Sequence, residues 1–276
     1  MHRRFPLQLP DPSVIIDSQI HPYAPGLVRD KSSAGQQILT PENLIIEMDR
    51  VGVDRAVLVP PRLDPTTNEF AIKAVRMWPN RFGLMGKLLL DRPESRGIAM
   101  SWTPSQMLGF RVSFPSGQLS PAETDWLWRA AEERDFPVMV WAPGQLRELE
   151  QSAKRHPRAR IVVDHLGMGP DDRGDRVGLA VRDLLHLADL DNVAVKASCL
   201  PAHSTGPYPF EDLHVHVQAV VNAFGPSRVF WGSDLTSLKC PYEEAVRMFT
   251  DAMPFPVGDL ELIMGLAIAR WLRWEV

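Results

Sequence analysis

Hydrophobic positions along this chain fall into two kinds of stretch. Short apolar, β-branched runs recur at Val14–Ile16, Arg55–Val59, Phe82–Leu90, Met107–Phe114, Pro137–Trp141, Arg160–Val163, Asn192–Ala197 and Arg228–Trp231. They are continuous rather than alternating, as strands buried on both faces are. Between them lie longer segments with apolar residues at helical spacing. Thr40-Pro41-Glu42 opens one, with a capping hydroxyl and a proline at the first helical position. Ser120-Pro121-Ala122-Glu123 has the form of a capping box and predicts another helix start. Leu146–His156, Phe210–Phe224 and a closing segment from Asp259 to Trp274 complete the pattern. Eight strand–helix units predict a (β/α)8 TIM barrel of the α/β class. A doubly wound open sheet is the alternative, but no glycine-rich phosphate loop follows the first strand.

The 276 residues fit one barrel domain, with residues 1–13 as an N-terminal arm. Composition is that of a globular chain, 45% hydrophobic and 23% charged, which excludes a disordered or fibrous protein. A net charge of -4 argues against nucleic acid and membrane surfaces as partners. The expected partner is a small-molecule substrate, with a homodimer possible through the Trp271 and Trp274 region if those rings do not pack on the barrel. Two cysteines, Cys199 and Cys240, exclude a disulfide scaffold and a multi-cysteine zinc module. Arg3-Arg4 is followed by Pro6, Pro10 and Pro12 rather than an apolar run, so the expectation is a cytoplasmic protein without a signal peptide.

In such a barrel the chemistry sits at the C-terminal ends of the strands. Strand one ends Asp17-Ser18-Gln19-Ile20-His21, where Gln19 and His21, two apart, share a face. Arg111 sits between apolar neighbours on strand four, and Trp141 ends strand five. Asp164-His165-Leu166-Gly167 ends strand six and Trp231-Gly232-Ser233-Asp234 strand eight. Each has a plainer reading. His21 and His165 could be hydrogen-bonded core histidines, Asp234 a loop cap, and Arg111 the partner of a structural carboxylate. Asp17 and Asp164 read as structural, and Lys196 as solvated or structural. Chance rarely puts His, Arg, His and Asp at four strand ends of one barrel. His214-Val215-His216 is not a metal motif, because residues two apart on a helix point about 200° apart.

These segments, with Arg81-Phe82-Gly83, Gly109-Phe110-Arg111 and Ala269-Arg270, resemble the amidohydrolase superfamily, in particular its branch of lactonases and non-oxidative decarboxylases. The resemblance runs along nearly the whole chain. It implies a His-x-His at the end of strand one, a His at the end of strand five and an Asp on strand eight, together holding a divalent metal. Here the first His is Gln19 and the strand-five position is Trp141. Glutamine is a poor zinc ligand and tryptophan none. The expectation is therefore no cofactor and no tightly bound metal. The alternative is a divalent ion such as zinc on His21, Asp234 and His165.

The implied activity is hydrolysis of a lactone or related ester, with a carboxylated ring as one form of substrate. Asp234 is expected to act as general base for water, with His165 and His21 polarising the carbonyl. Gln19 would donate from its amide, Arg111 would clamp a substrate carboxylate and Trp141 would wall the ring. Two alternatives stay open, a metal-dependent decarboxylase of the same superfamily and a non-catalytic binding barrel.

Overall fold

The computed structural model describes residues 14–23, 40–61, 68–105, 107–115 and 117–275. The expected N-terminal arm lies outside them. Eight parallel strands, β1 Ile16–Ile20, β2 Arg55–Leu58, β3 Phe82–Lys87, β4 Gly109–Ser113, β5 Val138–Trp141, β6 Ile161–Val163, β7 Val193–Ser198 and β8 Val229–Gly232, follow one another in chain order. Helices α1 Pro41–Val51, α2 Glu69–Met77, α3 Ser95–Ser101, α4 Asp125–Arg134, α5 Leu146–Arg155, α6 Asp175–Leu185, α7 Leu200–His203, α8 Glu211–Phe224 and α9 Tyr242–Arg247 lie between and after them. The predicted (β/α)8 barrel is the observed one.

Helix starts follow the sequence with one displacement. Thr40 caps α1, its hydroxyl accepting from the Asn43 N–H at 3.4 Å. Ser120 accepts from the Glu123 N–H at 3.5 Å as a capping box should, but the turn it closes precedes α4, which begins at Asp125. The closing segment is α10 Val257–Glu261, a wide turn at Leu262–Leu266 and α11 Ala267–Leu272. Gly265 is required in that turn: a Cβ there would lie 1.9 Å from the Val14 carbonyl oxygen. Trp271 packs against Phe230, and Arg55 lies 5.4 Å from the Trp274 ring centre, so both tryptophans seal the base of the barrel. No helix among the described residues is long and apolar enough to cross a membrane.

The core has two layers. Phe110, Val112, Ile161, Val163, Val193 and Val195 pack outward under the helices. Ile16, Val57, Met85, Met139, Val162, Ala194 and Phe230 fill the interior with Ile268 and Leu272 of α11. Alternation then sends Arg111 and Lys196 inward, above that apolar plug.

β8 returns to β1 without a regular strand ladder among the described residues. The Asp234 N–H donates to the Gln19 carbonyl at 2.9 Å, and the Ser233 N–H to Asp17 Oδ1 at 2.9 Å. Asp17 also accepts from the Gln19 N–H at 3.0 Å and the Tyr242 hydroxyl at 2.7 Å. The register of β1 on β2 shifts between Asp17 and Ile20. Asp17 can therefore face Tyr242 while Gln19 faces Lys196, although residues two apart in a regular strand share a side. Replacing Asp17 with Ala strands three buried donors and is expected to cost about 3 kcal/mol in urea unfolding. Burial pushes its carboxyl up to about 6, so its charge is unfavourable in the fold. The stabilisation it gives is fullest below the usual 3.8 and declines as pH rises through 6. Asp17→Asn at neutral pH should accordingly be the milder change.

Candidate active site

β6, β7 and β8 end alike. The first or second residue beyond each strand enters the left-handed region: His165 at φ 53°, Cys199 at φ 61° and Asp234 at φ 52°. Side chains other than glycine rarely adopt it, and each costs on the order of 1–3 kcal/mol. The corners carry these three residues over the barrel mouth, where one nitrogen, sulfur or oxygen from each lies within 4.8 Å of the others.

Below them is a buried charge cluster. Asp164 Oδ2 meets Arg111 Nη2 at 2.7 Å, and Asp164 Oδ1 meets Lys196 Nζ at 2.7 Å. Burial alone would raise the Asp164 carboxyl, but Arg111 and Lys196 bring it down to about 2. Lys196 has no exposed surface and also donates to Gln19 Oε1, with Met139 Sδ at 3.4 Å. Burial pulls its ammonium below the usual lysine range, against the pull of Asp164.

Above the cluster, His21 Nδ1 donates to the Val59 carbonyl at 2.6 Å, which fixes the ring. Its Nε2 lies 3.2 Å from Gln19 Nε2 and 3.2 Å from Asp234 Oδ1. His165 Nδ1 pairs with Ser198 Oγ at 2.9 Å, and its Nε2 is 4.0 Å from Asp234 Oδ2. Burial lowers both histidines, His165 to about 4, so both rings are neutral at pH 7. Burial would raise Asp234, but His21, His165 and hydrogen bonds from Ser237 and Cys199 bring it below the usual range, so it is ionised. Asp234 Oδ1 is buried and accepts no hydrogen bond from the described residues.

Gln19, His21, His165 and Asp234 thus converge. Arg111 does not present an open fork to the mouth: Nη2 is on Asp164, and Nη1 donates to the Val112 carbonyl and to Ser113 Oγ. Trp141 is half-buried, its indole N–H on the Met168 carbonyl at 3.3 Å. Asp17 bonds backbone groups, as read, whereas Asp164 meets Arg111 and Lys196 rather than the backbone of its turn. Lys196 is the hub of the interior network. Cys199 reads in the sequence only as one of two cysteines, and nothing but its place one residue past β7 marks it as a site residue. His214 bonds the Pro209 carbonyl at 2.8 Å while His216 lies beside Gly178, so the two share no ligand.

The superfamily's divalent ion does not fit the strand-one and strand-five positions. The Gln19 oxygen is occupied by the Lys196 ammonium, and the Trp141 nitrogen is a donor. His165, Cys199 and Asp234 form a different, partly sulfur group close enough to hold a metal ion, and it shares Asp234 with the superfamily's set.

Residues 16–274 match the amidohydrolase family, and the chain belongs to it. It is 37% identical over 105 residues to an L-fucono-1,5-lactonase of Burkholderia ambifaria, a stretch covering 38% of this chain and only 35% of that protein. A 4-sulfomuconolactone hydrolase of Rhizobium radiobacter is 26% identical over 242 residues, 84% of this chain and 79% of the relative. Among solved structures, a zinc-bound amidohydrolase of Burkholderia multivorans superposes with a TM-score of 0.79 at 21% identity, over 94% of this chain and 99% of that one. The 5-carboxyvanillate decarboxylase of Sphingomonas paucimobilis gives 0.69 at 16% identity, over 95% and 99%. At these identities the structural likeness is one of fold.

Proposed function

We propose that this protein hydrolyses a lactone or related ester of a small molecule, without a tightly bound metal. The observation that carries the reading is the ionised, buried Asp234, whose Oδ1 accepts no hydrogen bond from the described residues and lies beside two neutral histidines. Ionisation at neutral pH is what a general base needs, and the lowered pKa makes Asp234 a weak base that acts through its position. Both curated relatives act on lactones by name, which supports the same substrate class.

In this mechanism Asp234 takes a proton from water as the water oxygen bonds to the lactone carbonyl carbon. With the Ser198 hydroxyl donating to Nδ1, His165 carries its proton on Nε2 and donates to the developing oxyanion. One such donor typically contributes about 100- to 1,000-fold in rate. Collapse breaks the ring carbon–oxygen bond, and the departing alkoxide recovers the proton from Asp234. The product is a hydroxy acid. Arg111 and Lys196 supply positive field from beneath, and Trp141 walls the mouth.

A panel of aldonolactones and unsaturated γ-lactones, read by acid release before and after dialysis against chelator, tests this. Ring opening that survives chelation is the expected result. Loss on chelation with recovery on adding zinc would replace the mechanism with a metal-dependent one. Release of carbon dioxide from aromatic carboxylates would assign decarboxylation. Thermal stabilisation by these compounds with no turnover would leave a binding barrel.

A further inference from the structure

We infer that Lys196, acting through Gln19, fills the bare nitrogen of His21 and closes the strand-one position to a metal ion, while the Val59 carbonyl fixes the His21 tautomer that keeps Asp234 Oδ1 available as a base. This deepens the reading above and makes Lys196 a positioning residue.

The argument is one of donors and acceptors. An ammonium only donates, so the Gln19 atom that meets Lys196 Nζ is the amide oxygen. The Gln19 NH2 group is then the end that faces His21 Nε2 at 3.2 Å. A backbone carbonyl only accepts, so His21 Nδ1 carries the proton it shares with Val59. His21 Nε2 is therefore bare, and its lone pair accepts the Gln19 N–H. Two links meet at His21: the Val59 carbonyl leaves its Nε2 bare, and the chain from Asp164 through Lys196 turns the NH2 end of Gln19 toward that nitrogen.

Two consequences follow for the mouth. The lone pair that a metal would need on His21 already holds an N–H, backed by a buried ammonium. A dication would have to displace the amide against that fixed charge. His21 also has no N–H to give Asp234, although Asp234 Oδ1 is only 3.2 Å away. The carboxylate oxygen accordingly keeps its lone pairs for an incoming water proton, as its lack of a hydrogen-bond partner among the described residues indicates. With a proton on Nε2, His21 would instead tie up Asp234. His21 thus serves as an acceptor that leaves the base free, and donation to the carbonyl falls to His165.

The first measurement uses the unmodified protein. Histidine 15N spectra, with His21 assigned by loss of its signals in His21→Asn, should show Nδ1 protonated and Nε2 bare at neutral pH. A protonated Nε2 would overturn the inference. In Lys196→Met the Gln19 amide is free to turn, so the Nε2 signal should move as its N–H partner is lost while Nδ1 stays protonated on the Val59 carbonyl. An unmoved Nε2 signal in that variant also counts against it.

The second measurement is zinc titration with elemental analysis. Gln19→His combined with Lys196→Met removes the blocking amide and ammonium while leaving Asp164 its partner Arg111. This variant should take up one zinc per chain, and His21→Ala should abolish the uptake. A folded double variant that gains no zinc would overturn the inference. So would unmodified protein that binds zinc stoichiometrically and loses it in His21→Ala. Zinc bound by the unmodified protein and lost in Cys199→Ser but kept in His21→Ala would leave this inference standing while ending the metal-free reading of the reaction.

Discussion

Replacing Asp234 with Asn is expected to lower kcat for lactone hydrolysis by about 100- to 10,000-fold with little change in KM, the range for loss of a positioned proton acceptor. The substitution is nearly isosteric. The Asp234 N–H that crosses the seam to the Gln19 carbonyl is a backbone group and stays. Cys199 and Ser237 can still donate to the remaining side-chain carbonyl. What disappears is the anionic oxygen proposed to remove the water proton, a step needed in the transition state more than in substrate binding. The unmodified enzyme should share a related signature. Asp234 is held below its usual range and His165 loses its charge above about 4. Both groups therefore stay in their working state until pH falls toward 4, where kcat/KM should decline as they take up protons. Steady-state rates of Asp234→Asn at pH 7 decide the matter. Activity within about tenfold of the parent would place the base elsewhere.

The second large effect is on stability. Asp164→Ala leaves Lys196 and Arg111 buried together with no anion between them, and breaking a buried ion pair in this way costs about 3–5 kcal/mol. Asp164 lies well below its ordinary value, at about 2, so the sign of its pH linkage is clear. Its contribution is fully present above the unfolded carboxyl value of 3.8 and is lost as pH falls through 2. Urea unfolding at pH 7 should show the full difference between parent and variant, shrinking in acid. Asp164→Leu with Lys196→Met should recover much of the loss, because two charges and their desolvation leave together. A cost near 1 kcal/mol for Asp164→Ala would mean that water reaches the cluster and screens it.

The barrel was legible because parallel strands buried on both faces write themselves as unbroken apolar runs. His21, His165 and Asp234 were legible because each interrupts such a run where a barrel strand must end. Arg111 and Lys196 were harder. Sequence spacing shows that a charged residue lies in an apolar strand, but its partner, Asp164, lies in the turn just past β6, distant in the chain. Arg111 was accordingly expected on substrate, yet it bonds Asp164. The one clue for Lys196 was its phase: Ala194, Lys196 and Ser198 alternate with Val193, Val195 and Ala197, so it had to share a side with small residues. The shift within β1, which separates Asp17 from Gln19, has no marker in the chain because an irregular register depends on both neighbouring strands. Cys199 was missed for a similar reason, since only the turn of the backbone after β7 brings its sulfur over the mouth.

The left-handed corners after β6, β7 and β8 set two selective pressures against each other. His165, Cys199 and Asp234 each hold a torsion that glycine would occupy at no steric cost. Mutational drift at these three sites runs downhill in conformational energy and uphill in lost reactivity. A lineage released from its substrate would shed those side chains first, and gain a firmer scaffold as it did so.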